Sequence, residues 1–191
     1  MPETNPPVTL AGRSLSALAE AISGRSLPPV DQWHPAHCGD SEMVIHRDGR
    51  WSYRGEPIGR DAMVRLFSTV LRREPDGSHV LVTPAERLTI AVEAAPFRAI
   101  AMTSEGEGRE RRIAFEIDHA DAVIVGAEHP LTVAGSSDDP SPRVLVRGGL
   151  EAEVARPVYY ELAEIAIGEA NDPPGIWSDG HFFPLVAADA S

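Results

Sequence analysis

Met43-Val44-Ile45-His46-Arg47-Asp48-Gly49-Arg50-Trp51-Ser52-Tyr53-Arg54-Gly55-Glu56-Pro57-Ile58-Gly59-Arg60 is the stretch whose reading decides the fold. Met43 and Ile45 alternate with Val44 and His46, and Trp51 and Tyr53 share one face beyond Asp48-Gly49. Strand side chains alternate with period two, and Asp-Gly supplies the positive φ that a two-residue hairpin turn requires. The stretch therefore reads as a β-hairpin ended by Gly55 to Gly59. A helix then runs from about Arg60 to Arg73, with Met63, Leu66, Phe67, Val70 and Leu71 as its apolar stripe. Pro75-Asp76-Gly77 stops it, and Val80-Leu81-Val82 returns as a strand.

The same order recurs near the end of the chain. Val144-Leu145-Val146 leads into Gly148-Gly149 and a short strand, and Arg156-Pro157 opens a helix. With Arg156 set on Arg60, Tyr159, Leu162, Ala166 and Ile167 fall in step with Met63, Leu66, Val70 and Leu71. Asp179-Gly180 then introduces His181-Phe182-Phe183-Pro184-Leu185, as Asp76-Gly77 introduces Ser78 to Pro84. Between the copies, Glu86 to Ile117 has period two and reads as an antiparallel meander. Val123 to Val125 reads as a short strand, and Ala134 to Pro142 as the least ordered interior loop. Upstream, residues 1–13 read as a disordered tail. Ser14 caps a short helix carrying Leu15, Leu18, Ala19 and Ile22, with Gly24 as its stop, and Leu27 to Val30 is an extended linker. The expected class is α+β: two small lobes built on a duplicated strand-turn-strand-helix-strand motif, plus the N-terminal helix. Residues 1–30 form tail, helix and linker, 31–85 the first lobe, and 86–187 a second, strand-rich lobe.

The composition limits the chemistry. Of 191 residues, 42% are hydrophobic and 24% charged, the formal net charge is −12, and all 17 basic residues are Arg. Without Lys there is no Schiff-base lysine, no Ser-Lys dyad, no phosphate-loop lysine and no kinase-type strand lysine. One cysteine, Cys38, allows no internal disulfide and no multi-cysteine metal site, so a reducing cytoplasmic compartment is expected. The start of the chain has neither a basic region nor an apolar run, so no signal peptide is read there, and no stretch has the ~18 apolar residues of a membrane span. The acidic total argues against nucleic-acid polymers and anionic membranes as partners.

Arg60 and Arg156 are the leading candidates for binding. Each begins a helix, where the macrodipole disfavours a cation, so each calls for an internal carboxylate or a bound anion. Arg147 with the amides of Gly148-Gly149 forms either a plain turn or an anion cup. Trp51 and Trp177, beside turns, are candidate stacking surfaces, while Tyr53 and Phe182 are expected in the core. His34-Pro35-Ala36-His37-Cys38 reads as a turn whose proline forbids helical metal presentation, and neither a metal nor a cofactor is expected. No Gly-x-Ser-x-Gly elbow occurs, and no catalytic residue is assigned.

Trp33 to Gly39, Arg47 to Arg60, Leu81 to Glu86, Val146 to Ala152 and Trp177 to Leu185 together resemble a bacterial family known as domain of unknown function 1285. The resemblance covers about residues 30 to 186. It implies two α+β lobes with a repeated motif, the second like a partial pleckstrin-homology barrel. It also implies an inter-lobe site for a nucleotide-like molecule, a signalling role and no established catalysis. The resulting expectation is a non-enzymatic protein that holds a small anionic ligand between its lobes, using Arg60, Arg147, Gly148, Gly149, Arg156, Trp51 and Trp177. The alternative is an adaptor for another protein, and the third reading is a small hydrolase centred on Cys38 and His34.

Overall fold

The computed structural model describes residues 6–136 and 138–187. Helix α1 (Leu15–Ser23) begins as expected, with the Ser14 hydroxyl accepting from the Ala17 N–H at 3.3 Å. The first sheet follows as β1 (His37–Ile45), β2 (Trp51–Tyr53), β3 (Glu56–Pro57), helix α2 (Asp61–Thr69), β4 (Leu71–Arg73), β5 (His79–Val82) and β6 (Glu86–Val92). The second comprises β7 (Phe97–Glu105), β8 (Arg112–Ile117), β9 (Val123–Ile124), β10 (Leu131–Gly135), β11 (Pro140–Arg147) and β12 (Leu150–Val154). Helix α3 (Arg156–Glu169) and the hairpin of β13 (Gly175–Ser178) and β14 (His181–Pro184) complete the chain. The protein is α+β, with two curled six-stranded sheets.

The two sheets share one topology. The first has the order β3-β2-β1-β6-β5-β4 and the second β10-β11-β12-β7-β8-β9. In each, two three-stranded antiparallel meanders meet where the first strand lies parallel to the sixth: β1 against β6, and β7 against β12. The repeat is thus one of β1–β6 with β7–β12. The order of elements inferred from the sequence does recur, but with different pairing: β1 makes the parallel contact in the first lobe and β12 in the second. Arg60 follows the third strand of its sheet and Arg156 the sixth, so the two arginines are not topological equivalents. Helix stripes align with any other helix stripe, whereas strand pairing is a long-range property.

Other expectations need correction. The helix expected to reach Arg73 ends at Thr69, because Leu71 pairs with Leu81 in β4–β5 and is fully buried there. Helix α2 buries Val64 and Ser68, while Met63 and Leu66 are exposed; in α3, Val158, Leu162 and Ala166 are buried and Ile167 is exposed. His37 and Cys38 open β1, paired with Glu86 and Arg87, where a turn was expected. Strand β6 belongs to the first sheet, so residues 86–117 are not one meander. The loop expected over 134–142 is the β10–β11 hairpin, with Gly135 opposite Pro140; Ser137 lies outside the described residues. The described part of the N-terminal tail is anchored: Val8 is buried, its N–H donates to Asp121 at 2.8 Å, and its carbonyl accepts from Ala122 at 2.9 Å. Tyr53 is exposed rather than in the core.

One contiguous apolar cluster runs through both lobes, from Ile45, Trp51, Val64 and Leu71 to Phe97, Phe115, Leu150 and Leu162. Full burial of each such side chain contributes about 1.5–3 kcal/mol. A second cluster joins Val8, Leu15 and Leu18 to Ala114 and Ala122, and so fixes α1 against β8 and the stretch leading into β9.

Candidate functional site

The residues singled out from the sequence scatter. Trp51 is 3% exposed and lies near-parallel to Phe67 at 6.5 Å, so it is a core side chain and offers no stacking surface. Trp177 lies on β13 beside Phe182, and Arg109 already covers its ring at 4.5 Å. Arg147 is half-buried: its guanidinium donates to the Ser68 carbonyl in the last turn of α2 and lies over the Phe97 ring at 5.2 Å. Burial lowers its pKa, with Asp121 opposing that shift. Gly148 and Gly149, at φ +49° and +76°, form the β11–β12 turn, and the Gly149 carbonyl accepts from Arg73 of the first lobe at 3.2 Å. This arrangement is a turn and an inter-lobe tie. Arg60 precedes α2, exposed; its carbonyl accepts from the Met63 and Val64 N–H groups, and its guanidinium makes no hydrogen bond or ion pair among the described residues. Of the seven, only Arg156 lines the groove between the lobes.

That groove encloses about 440 Å³. The first lobe contributes His46, Arg47, Asp48, Arg50 and Glu93, from the ends of β1 and β6 and the turn between β1 and β2. The second contributes Arg98 of β7, Glu153 and Val154 of β12, and Ala155 and Arg156 at the start of α3. Another concavity, of about 390 Å³, is bordered by Glu161 and Glu164 and has no basic lining residue.

The groove is cationic by local placement within an acidic protein. Arg98 donates to the Asp48 carbonyl at 2.9 Å and so joins the lobes. Arg50 pairs with the Asp48 carboxylate at 2.6 Å; its backbone N–H, then its side chain, hold that carboxyl below the usual range. The Arg47 guanidinium makes no hydrogen bond or ion pair among the described residues. Arg156 has only a 4.0 Å approach to Asp139, with both side chains more than 80% exposed, a geometry that contributes little in water. The N-terminus of α3 opens here without a side-chain cap or an acidic residue in its first turn, and Pro157 lacks an N–H. Among the described residues, no side chain caps the positive end of this 14-residue helix.

His46 is held at both ring nitrogens, by Glu93 at Nδ1 (3.0 Å) and the Ser52 hydroxyl at Nε2 (2.8 Å). The second oxygen of Glu93 accepts the Arg47 N–H at 2.9 Å; that bond first, and His46 second, lower the Glu93 pKa. An ionised Glu93 only accepts, so Nδ1 carries a proton, and in the neutral ring Nε2 accepts from Ser52. The three side chains have the connectivity of a Ser-His-acid triad with the burial order inverted. Ser52 is 4% exposed and behind the histidine, whereas Glu93 faces the groove. A nucleophile needs the open position, so Ser52 here orients an imidazole. Cys38 is exposed, with Arg87 at 3.4 Å from its sulfur, and no imidazole hydrogen-bonds to it among the described residues. No group of three His, Cys, Asp or Glu able to hold a metal occurs among the described residues, and no described helix is long and apolar enough to cross a membrane.

Arg47, Arg50 and Arg98 were overlooked in the sequence because strand and turn arginines look like solvated charges. The signal present was the spacing of Arg47 and Arg50 around the Asp-Gly turn. Nothing local indicated that Arg98 or Glu93 would meet them.

The model for the N-terminal domain of a domain of unknown function, DUF1285, matches residues 28–95, and that for the C-terminal domain of the same family matches residues 96–185. The chain belongs to the DUF1285 family. A crystal structure of a DUF1285 family protein from Silicibacter pomeroyi DSS-3 is 40% identical, with a TM-score of 0.78 over 94% of this chain and 98% of that one. Another, from Shewanella baltica OS155, is 20% identical, with a TM-score of 0.48 over 64% and 90% of the two chains. No curated protein matches. In this DUF1285 protein the two family matches meet at residues 95 and 96, between β6 and β7.

Proposed function

We propose that this DUF1285 protein binds a small anion, of the size and charge of a nucleotide, in the groove between its sheets, and that bridging the lobes serves signalling. The observation that carries this reading is the convergence of Arg47 and Arg50 from one lobe with Arg98 and Arg156 from the other on the uncapped start of α3. A guanidinium matches phosphate or carboxylate bidentately, and a helix N-terminus adds N–H donors and a positive potential. About 440 Å³ is within the range of small-molecule sites. A ligand held from both sides favours the closed arrangement of the lobes, which is how binding becomes a conformational signal.

Thermal unfolding in the presence of nucleotides, pyrophosphate and polycarboxylates tests this. A ligand at 100 times its Kd adds about 2.7 kcal/mol of stability. An Arg47→Ala/Arg156→Ala double variant loses that increment, while Arg60→Ala, which is not among the groove-lining residues, keeps it. The reading fails if no anion stabilises the wild type more than the double variant.

A further inference from the structure

We infer that anion binding in this groove is proton-linked through His46 and tightens when that imidazole is protonated. This inference rests on the anion-binding reading above and specifies how the same site is regulated. Four guanidinium groups and three carboxylates line the groove, so a neutral His46 leaves a surplus of one positive charge and a protonated His46 a surplus of two. Few single protonations alter the charge of a site by so large a fraction.

The geometry accommodates both forms of the ring. In the neutral form Nδ1–H donates to Glu93 and Nε2 accepts from Ser52. On protonation at Nε2, the Ser52 hydroxyl turns from donor to acceptor without moving its oxygen, and Nδ1–H remains on Glu93. Charged and titratable groups share the groove lining with His46. Glu93 at the end of β6 favours the cation, as does Asp48 in the adjoining turn. Arg47 and Arg50 in that turn, Arg98 on β7 and Arg156 on α3 oppose it, and Glu153 on β12 favours it again. Behind the turn, Asp118 is paired with His119 at 3.3 Å. A bound anion favours the charged form of His46. By linkage, the proton tightens the anion equally.

Inorganic sulfate is the probe, because its charge does not change over the window in which histidine titrates. Calorimetry on the full chain should show sulfate binding roughly threefold to tenfold tighter at about pH 6 than at about pH 8, as one added unit charge across a small, partly screened groove implies. In His46→Gln, whose side chain takes up no proton in this range, the ratio should fall to about one. Titration of the wild-type His46 ring by NMR needs no variant, and its midpoint should rise when sulfate is saturating. An unchanged midpoint, or a pH ratio that survives in His46→Gln, overturns the proton link alone. Absence of sulfate binding at either pH overturns the anion site itself.

Discussion

Replacing Arg147 by alanine separates a residue that ties the lobes from one that holds a ligand, because the sequence presents it as the second kind and the fold as the first. Its guanidinium donates to the Ser68 carbonyl at the C-terminal, electronegative end of α2 and lies 5.2 Å from the centre of the Phe97 ring. A hydrogen bond from a charged group contributes about 1.5–3 kcal/mol, and a partly desolvated cation–π contact about 0.5–2 kcal/mol. Partial burial of the methylene stem adds about 1 kcal/mol. Relief of the desolvation that lowers the Arg147 pKa works in the opposite direction, leaving a net loss of about 2–3 kcal/mol. With a urea m-value of about 2 kcal/mol/M, the unfolding midpoint should fall by roughly 1 M or slightly more. Arg147→Met, which keeps the stem, should recover about 1 kcal/mol of that loss. Both variants should retain the anion-induced thermal shift. A loss below about 0.5 kcal/mol, or an intact midpoint with the anion response abolished, would refute this account.

The N-terminal arm depends on Leu15 and Leu18, at 0% and 1% exposure, so Leu15→Ala should cost about 2–4 kcal/mol; hydrogen exchange should show residues 6–24 opening before the sheets. Glu74 bridges Arg72 at 2.6 Å and Arg87 at 3.2 Å, and Arg72 also donates to the Val30 and Trp33 carbonyls. Glu74→Gln should therefore cost about 1–3 kcal/mol in urea unfolding, because it leaves a buried guanidinium without its counter-charge. Burial first, then Arg73, lowers the His79 pKa, so the unfolded chain takes up the proton more readily. Stability from this group is complete above the unfolded value of about 6.5 and is lost as pH falls towards the folded one. A His79→Gln variant should accordingly show a flatter dependence of melting temperature on pH over that interval. Gly149 at φ +76° would place a Cβ at an ordinary 3.5 Å from Arg73, so Gly149→Ala should cost about 1–2 kcal/mol from backbone strain alone, read as a lower urea midpoint.

Local physics was legible wherever a short segment carries its own instructions. The Asp48-Gly49 hairpin, the Ser14 cap, the Pro-opened start of α3 and the alternating strands all follow from φ preferences, capping and period two. So did the family, whose five separated motifs lie within the matched residues. Of the two arginines at helix starts that the sequence singles out, Arg156 lines the groove and Arg60 does not. What the sequence alone did not determine was which strands pair. The boundary of α2 and the membership of β6 depend on that pairing, and so do the symmetry relating β1–β6 to β7–β12 and the fate of each arginine. Arg147 and Arg156 look alike in one dimension, yet one donates to a carbonyl between lobes and the other opens onto the groove. The difference arises because hydrogen-bond partners and burial are set by contacts between residues tens of positions apart: Arg147 with Ser68, Arg98 with Asp48, His46 with Glu93. Periodicity records only what a residue shares with its near neighbours; the groove forms from residues that do not become neighbours until both sheets are closed.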